Sequence, residues 1–86
     1  MSERYTLYHF PSCPYCARVR DFLDEAGIDM EMRNIHADPQ ALHDLRSGGG
    51  STTVPCLRIR RDGQRDQWMY ESLDIIEYLR EKLVGV

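Results

Sequence analysis

The apolar positions of this chain fall into short runs whose spacing changes from one run to the next. Tyr5 to Phe10 is dense in aromatic and β-favouring residues with few charges, which suits a central strand covered on both faces. Val19, Phe22, Leu23 and Ala26 then fall at i, i+3, i+4 and i+7, one face of a helix over Ala17 to Ala26. Arg18, Arg20, Asp21, Asp24 and Glu25 fill its other face, read as solvated surface, and Gly27 is a natural stop. Ile28, Met30 and Met32 alternate with Asp29, Glu31 and Arg33, the period of a half-buried strand with its methionines as core filler. Because a helix links it to the first strand, the two are expected to be parallel, with a right-handed crossover.

The second half continues the alternation. Asp38-Pro39 reads as a capping side chain followed by proline at the first helical position. Leu42 and Leu45 form a short stripe, Arg46 sits in the last turn, and Gly48-Gly49-Gly50 ends it. The three glycines lack the Lys-Ser/Thr of a phosphate loop and lead into a strand, so they read as a flexible connection. Thr53-Val54-Pro55 precedes a strand from Cys56 to Arg60. Asp62-Gly63 signals a hairpin, and the chain returns over Gln67 to Tyr70. The last helix runs from Ser72, read as its cap, to Leu83, with Ile75, Ile76, Leu79 and Leu83 as its buried stripe. The order is β-α-β-α-β-β-α: an α/β chain with a four-stranded mixed sheet flanked by helices, expected as one domain over residues 1–86.

Composition narrows the function. The chain has 86 residues, 42% hydrophobic and 29% charged, with a net charge of −3 and no basic block, which argues against nucleic acid as a partner. No apolar run approaches a membrane span. Residues 1–4 lead into a strand and not into a signal-like apolar segment. Three cysteines are an odd number, a poor match to a secreted disulfide scaffold. The expectation is a cytoplasmic monomer in a reducing compartment, where a Cys-x-x-Cys pair is catalytic or metal-binding more often than structural.

That pair is Cys13-Pro14-Tyr15-Cys16, between the first strand and the first helix. Cys13 is therefore expected at the mouth of a helix N-terminus, where unpaired N–H groups and the positive dipole end favour a thiolate over a thiol. Cys16, inside the first turn, is expected to hold its proton more tightly. A thiolate attacks disulfides, and a second sulfur three residues on can resolve the mixed disulfide that results. His9 is read as a half-buried histidine with one hydrogen-bond partner. Cys56, next to Pro55, is expected near the Cys13 pair in space but inert, a small apolar residue opening a buried strand, with Arg58 and Arg60 pointing away. A zinc site from Cys13, Cys16, Cys56 and one of His9, His36 or His43 is the competing use of these residues, but no second Cys-x-x-Cys and no paired histidine spacing supports it. No metal is expected.

With Cys13-Pro14-Tyr15-Cys16 after the first strand and Thr53-Val54-Pro55 before the third, the whole chain resembles a glutaredoxin of the thioredoxin fold. Its last segment, Tyr70 to Leu79, is similar to the end of the N-terminal, glutathione-binding domain of glutathione transferases. The resemblance implies a glutathione-dependent oxidoreductase that reduces protein disulfides and glutathione mixed disulfides. It implies Cys13 as nucleophile and Cys16 as resolving thiol. Tyr15, Thr53, Val54 and a cis Pro55 would then contact glutathione, the co-substrate, with Glu71 and Ser72 at its γ-glutamyl end. The chain departs from the glutaredoxin pattern at Phe10, where a cation is common, so Arg46 becomes the candidate for the glycine carboxylate. The usual Gly-Gly pair after the fourth strand is replaced by Tyr70-Glu71-Ser72. A transferase-like module that binds glutathione without catalysis is one alternative, and the presence of Cys16 argues against it; an iron–sulfur-binding glutaredoxin is the other, and Pro14 disfavours that geometry.

Overall fold

The computed structural model describes residues 3–84; Met1 and Ser2, read above as the lead-in to the first strand, lie outside that range. The elements are β1 (Glu3–His9), α1 (Pro14–Ala26), β2 (Glu31–Asn34), α2 (Pro39–Asp44), β3 (Cys56–Arg61), β4 (Gln67–Tyr70) and α3 (Ser72–Leu79). The strands form a four-stranded sheet in the order β2-β1-β3-β4. β1 pairs parallel with β2 and antiparallel with β3, and β3 pairs antiparallel with β4. β1 is thus the interior strand its composition called for, and the mixed α/β sheet has the thioredoxin-like arrangement.

The alternation of side chains along each strand splits the core into two layers. On one face Leu7, Leu57 and Ile59 pack against Val19 and Leu23 of α1 and Ile75, Ile76 and Leu79 of α3. Each fully buried aliphatic side chain of this kind contributes about 1.5–3 kcal/mol relative to leaving it in water. On the other face Tyr8, Cys56, Trp68 and Tyr70 pack against Ala41 and Leu45 at the end of α2. There Arg58 lies over the Trp68 ring, 4.9 Å from its centroid, pairs with Asp66 and donates to the Tyr8 hydroxyl at 3.1 Å.

Several expectations change in the folded chain. Helix α1 begins at Pro14, because Cys13 itself is its cap, and Ala26, its last residue, is exposed. The strand expected from Ile28 begins only at Glu31. Gly27, in the left-handed region, and Ile28 donate their N–H groups back to Asp24 and Leu23, so the backbone of Ile28 closes the helix instead of joining the sheet. Ile28 and Met30 still pack on the core, but Met32 is exposed, because β2 is an edge strand that no helix fully covers.

Helix α2 continues as a wider π-type turn over Leu45–Gly49, and α3 does so over Arg80–Val84. The second of these changes the 3.6-residue period and leaves Leu83 exposed rather than buried. The glycines after α2 are not a loose connection. A Cβ on Gly48 would overlap the Trp68 ring, and one on Gly49 would overlap the Tyr70 hydroxyl, so the bare backbone is what packs against β4.

Candidate functional site

The site lies where the C-terminal end of β1 meets the first turns of α1 and α3. Cys13 caps α1 with an extended backbone, and its sulfur accepts a hydrogen bond from the Cys16 N–H at 3.2 Å. Pro14 follows at the first helical position, where a missing N–H costs nothing. The Cys13 thiol is directed at the Val54 carbonyl oxygen, 4.0 Å away, a long and weak contact. Cys13 retains a 5% exposed surface, whereas Cys16 has none. Burial, followed by the contact with Cys13, pushes the Cys16 thiol well above the ordinary thiol range. Both thiols are free.

The loop that carries Cys13 is braced from behind. Arg20 reaches His9 Nδ1 at 3.3 Å and donates to the Pro11 carbonyl at 3.3 Å. His9 is half-buried with that one side-chain partner, as its sequence context suggested. Burial and, secondarily, Arg20 lower its pKa. Phe10, the residue that stands where a cation is common, stacks on His36 with the ring centroids 4.2 Å apart.

A groove of about 480 Å³ opens beside the cysteines, within the range of small-molecule sites. Tyr15 and Arg18 of α1 form one wall, Thr53, Val54 and the cis-linked Pro55 its floor, and Tyr70 to Asp74 the other wall. The structure therefore brings Tyr15, Thr53, Val54, Pro55, Glu71 and Ser72 onto one surface. Arg46 does not join them; it sits exposed on the turn after α2, on the other side of the sheet, and Arg18 is the cation in the groove wall.

Residue 71 is the irregular point of that wall. Glu71 has φ of 74°, a left-handed value uncommon for a residue with a side chain. It precedes α3 as the cap, with no side-chain hydrogen bond to the helix. Ser72, expected as the cap, is instead the first helical residue and is buried. The free N–H groups of the first turn of α3 consequently face the groove without an internal acceptor. Among the described residues, none of Arg18, Glu71 and Asp74 takes part in an ion pair.

Sequence reasoning missed Arg18, Tyr70, Leu73 and Asp74 as groove residues. For Arg18 a signal existed: it stands three positions after Tyr15 and so shares its helix face. The guanidinium lies 5.6 Å from the Tyr15 ring centroid. Nothing in the pattern of α3 distinguishes Leu73 or Asp74 from ordinary first-turn residues.

Cys56 opens β3 as a buried residue, as its sequence context suggested. The sheet alternation turns its side chain to the α2 face, with Tyr8 and Leu45, and not toward the α1 side that carries Cys13. It is fully buried, and burial pushes its thiol up to about 12. The Tyr70 hydroxyl is buried beside it without a well-formed hydrogen bond. Among the described residues no group of three His, Cys, Asp or Glu side chains converges as a metal site would require.

Comparisons with known proteins agree with this architecture. Residues 7–85 match the family described as the glutathione S-transferase, N-terminal domain. A glutaredoxin of Pseudomonas aeruginosa is 35% identical over 53 residues, which cover 62% of this chain and 63% of that protein. The glutathione transferase Omega 2S of Trametes versicolor superposes with a TM-score of 0.77 at 21% identity, over 99% of this chain and 38% of that one. The maleylacetoacetate isomerase of Anaeromyxobacter dehalogenans, solved with GSH in its active site, gives 0.70 at 26% identity, over 94% of this chain and 38% of that one. The matches thus span just under two thirds of the glutaredoxin and about two fifths of the two larger enzymes. With its glutaredoxin-like cysteine pair and its transferase-like third helix on one thioredoxin-type sheet, this chain belongs to the glutathione S-transferase N-terminal domain family.

Proposed function

We propose that the protein is a glutathione-dependent thiol–disulfide oxidoreductase acting on glutathione mixed disulfides and on protein disulfides. The observation that carries this reading is the position of Cys13. Its sulfur receives the Cys16 N–H at the edge of a groove whose opposite wall offers a carboxylate and an uncapped helix N-terminus. Glutathione has a thiol, an ammonium and two carboxylates. Its γ-glutamyl ammonium suits Glu71 and its α-carboxylate suits the first turn of α3 at Ser72. Its extended cysteinyl unit suits the backbone at Val54, beside the reacting sulfur.

The chemistry then balances with glutathione alone as reductant. The Cys13 thiolate attacks the glutathione sulfur of a mixed disulfide. The S–S bond breaks, a Cys13–glutathione disulfide forms, and the substrate thiolate leaves and takes up a proton. A second glutathione thiolate attacks that adduct, releasing oxidised glutathione and restoring the Cys13 thiolate. On a protein disulfide, Cys13 forms the mixed disulfide with the substrate. Cys16 gives up its proton, attacks Cys13 and closes the Cys13–Cys16 bond, which two glutathiones reopen. The buried, proton-retaining state of Cys16 suits a thiol that acts second.

The test is the rate on a glutathionylated peptide for the parent, Cys13→Ser and Cys16→Ser. Cys13→Ser is expected to fall to the uncatalysed rate, while Cys16→Ser retains turnover on that substrate and loses it on protein disulfides. Equal loss in both variants on the glutathionylated peptide would overturn the mechanism. Glutathione binding without turnover in the parent would favour the non-catalytic module.

A further inference from the structure

The oxidoreductase reading leaves one half of the substrate without a binding surface, and the inference here rests on that reading. Among the described residues, Tyr15 and Leu73 are the two most exposed large apolar side chains, at 57% and 64%. Both stand in helix first turns, and both line the groove beside Cys13. They leave apolar surface in water along the groove. Arg18 lies on the same rim, one helical turn beyond Tyr15, with its guanidinium over the ring.

The α1 wall of the groove carries one charge, the Arg18 guanidinium. Arg33, Arg58 and Arg61 are paired with carboxylates, and Arg20 is engaged by His9 and the Pro11 carbonyl. Among the described residues Arg18 has no carboxylate at salt-bridge distance, although it sits in a groove wall. The acids of the site, Glu71 and Asp74, stand across from it on the α3 wall, where the glutathione ammonium is accommodated.

We propose that Arg18, Tyr15 and Leu73 form the docking rim for the protein half of a glutathione mixed disulfide. The segment it fits carries an acidic residue and an apolar one flanking the glutathionylated cysteine. Glutathione occupies the α3 wall at Glu71 and Ser72, the acid meets Arg18, and the apolar neighbour covers Tyr15 and the exposed side chain of Leu73 next to Ser72. Cys13 attacks the glutathione sulfur, and the protonated protein thiol departs from the rim. A basic flank meets Arg18 with like charge and is disfavoured.

The experiment compares kcat/KM for three glutathionylated peptides that differ only in having Asp, Asn or Lys beside the modified cysteine. The enzymes are the full chain, Arg18→Gln and Arg18→Glu, each checked for folding by circular dichroism. The full chain is expected to prefer Asp over Lys by about two- to fivefold, the scale of an exposed ion pair, with the preference fading at high salt. Arg18→Gln flattens the ratio, and Arg18→Glu inverts it. An Asp-to-Lys ratio that is the same in the parent and in Arg18→Glu overturns the proposal. The mixed disulfide of glutathione with 2-mercaptoethanol, whose non-glutathione half carries no charge, separates the two readings. Turnover of it by the parent together with indifference to flanking charge sinks the docking rim alone. Absence of turnover sinks the oxidoreductase reading and the rim with it.

Discussion

The two ends of the sheet treat charge in opposite ways. At the end away from the cysteines, Glu3 accepts hydrogen bonds from Tyr5 at 2.5 Å, Arg61 at 2.6 Å and Tyr78 at 2.9 Å, and Arg61 also donates to Tyr78 and Gln67. The Tyr5 hydroxyl first, and then Arg61 and Tyr78, hold the Glu3 carboxyl down to about 2. This cluster ties the first strand, the hairpin and α3 together and engages both carboxylate oxygens within the fold. At the cysteine end, Glu71 holds a left-handed backbone, α3 starts without a side-chain cap, and Arg18 and Asp74 stand without ion-pair partners. Paired polar groups return their desolvation cost within the fold, whereas unpaired ones around a cleft retain that capacity for a ligand. The groove is thus marked by what its residues leave unsatisfied.

The largest contrast is expected from making the same change at each end. Glu3→Gln removes a carboxylate from charge-assisted bonds and should lower stability by about 1.5–3 kcal/mol without altering the dependence of turnover on glutathione. Glu71→Gln should do the reverse, weakening glutathione recognition by a similar amount with little change in Tm. Denaturant melts and glutathione titrations on both variants check the pair; the comparison breaks if Glu71→Gln destabilises as much as Glu3→Gln. Acid sharpens it. Glu3 has a folded-state value near 2 against 4.5, so its stabilisation is complete above about pH 4.5 and is lost as the pH falls through about 2. Glu3→Gln should lack that part of the acid loss, and Glu71→Gln should retain it.

A somewhat smaller effect is expected at the α2 face. Gly49→Ala puts a methyl into the Tyr70 hydroxyl and should cost about 1–3 kcal/mol, typical of overpacking, with a lower midpoint in urea. Because Tyr70 also lines the groove, glutathione affinity should fall with it. An unchanged midpoint would mean that the backbone at Gly49 gives way freely.

The smallest effect concerns Cys56, whose neighbours keep it away from the chemistry. Cys56→Ala should leave the exchange rate within a few-fold. Mild oxidation of the parent should give a Cys13–Cys16 bond with Cys56 still free. Its folded-state value of about 12 against 9.0 means that the stabilisation from the buried neutral thiol is present below about pH 9 and fades as the pH rises through 12. The parent should therefore lose more stability than Cys56→Ala over that alkaline range. A mass spectrum dominated by Cys56 linked to Cys13 or to glutathione would refute its isolation.

Local signals carried most of the architecture. Periods of two and 3.6, Asp38-Pro39 at a helix start, Asp62-Gly63 at a hairpin and Cys13-Pro14 at a strand-to-helix turn each act over a few residues. The order of elements, the interior position of β1 and the cysteine pair at a helix mouth therefore follow from the chain alone. Tertiary packing decided the rest. Met32 and Leu83 have the right spacing for burial but lie at a sheet edge and in a widened last turn, where no neighbour covers them. Gly48 and Gly49 read as slack because nothing in their own segment shows that Trp68 and Tyr70 will lie against them. Arg46 and Arg18 are equivalent exposed cations in a linear reading. Which one reaches the groove depends on how α1 and α2 cover opposite faces of the sheet. Cys56 is adjacent to the site in sequence, through Pro55, yet one step along a strand reverses the face and sends its thiol to the far side. Patterns within a few residues record local backbone preference, while the partners of a side chain are set by which distant surfaces the fold brings together.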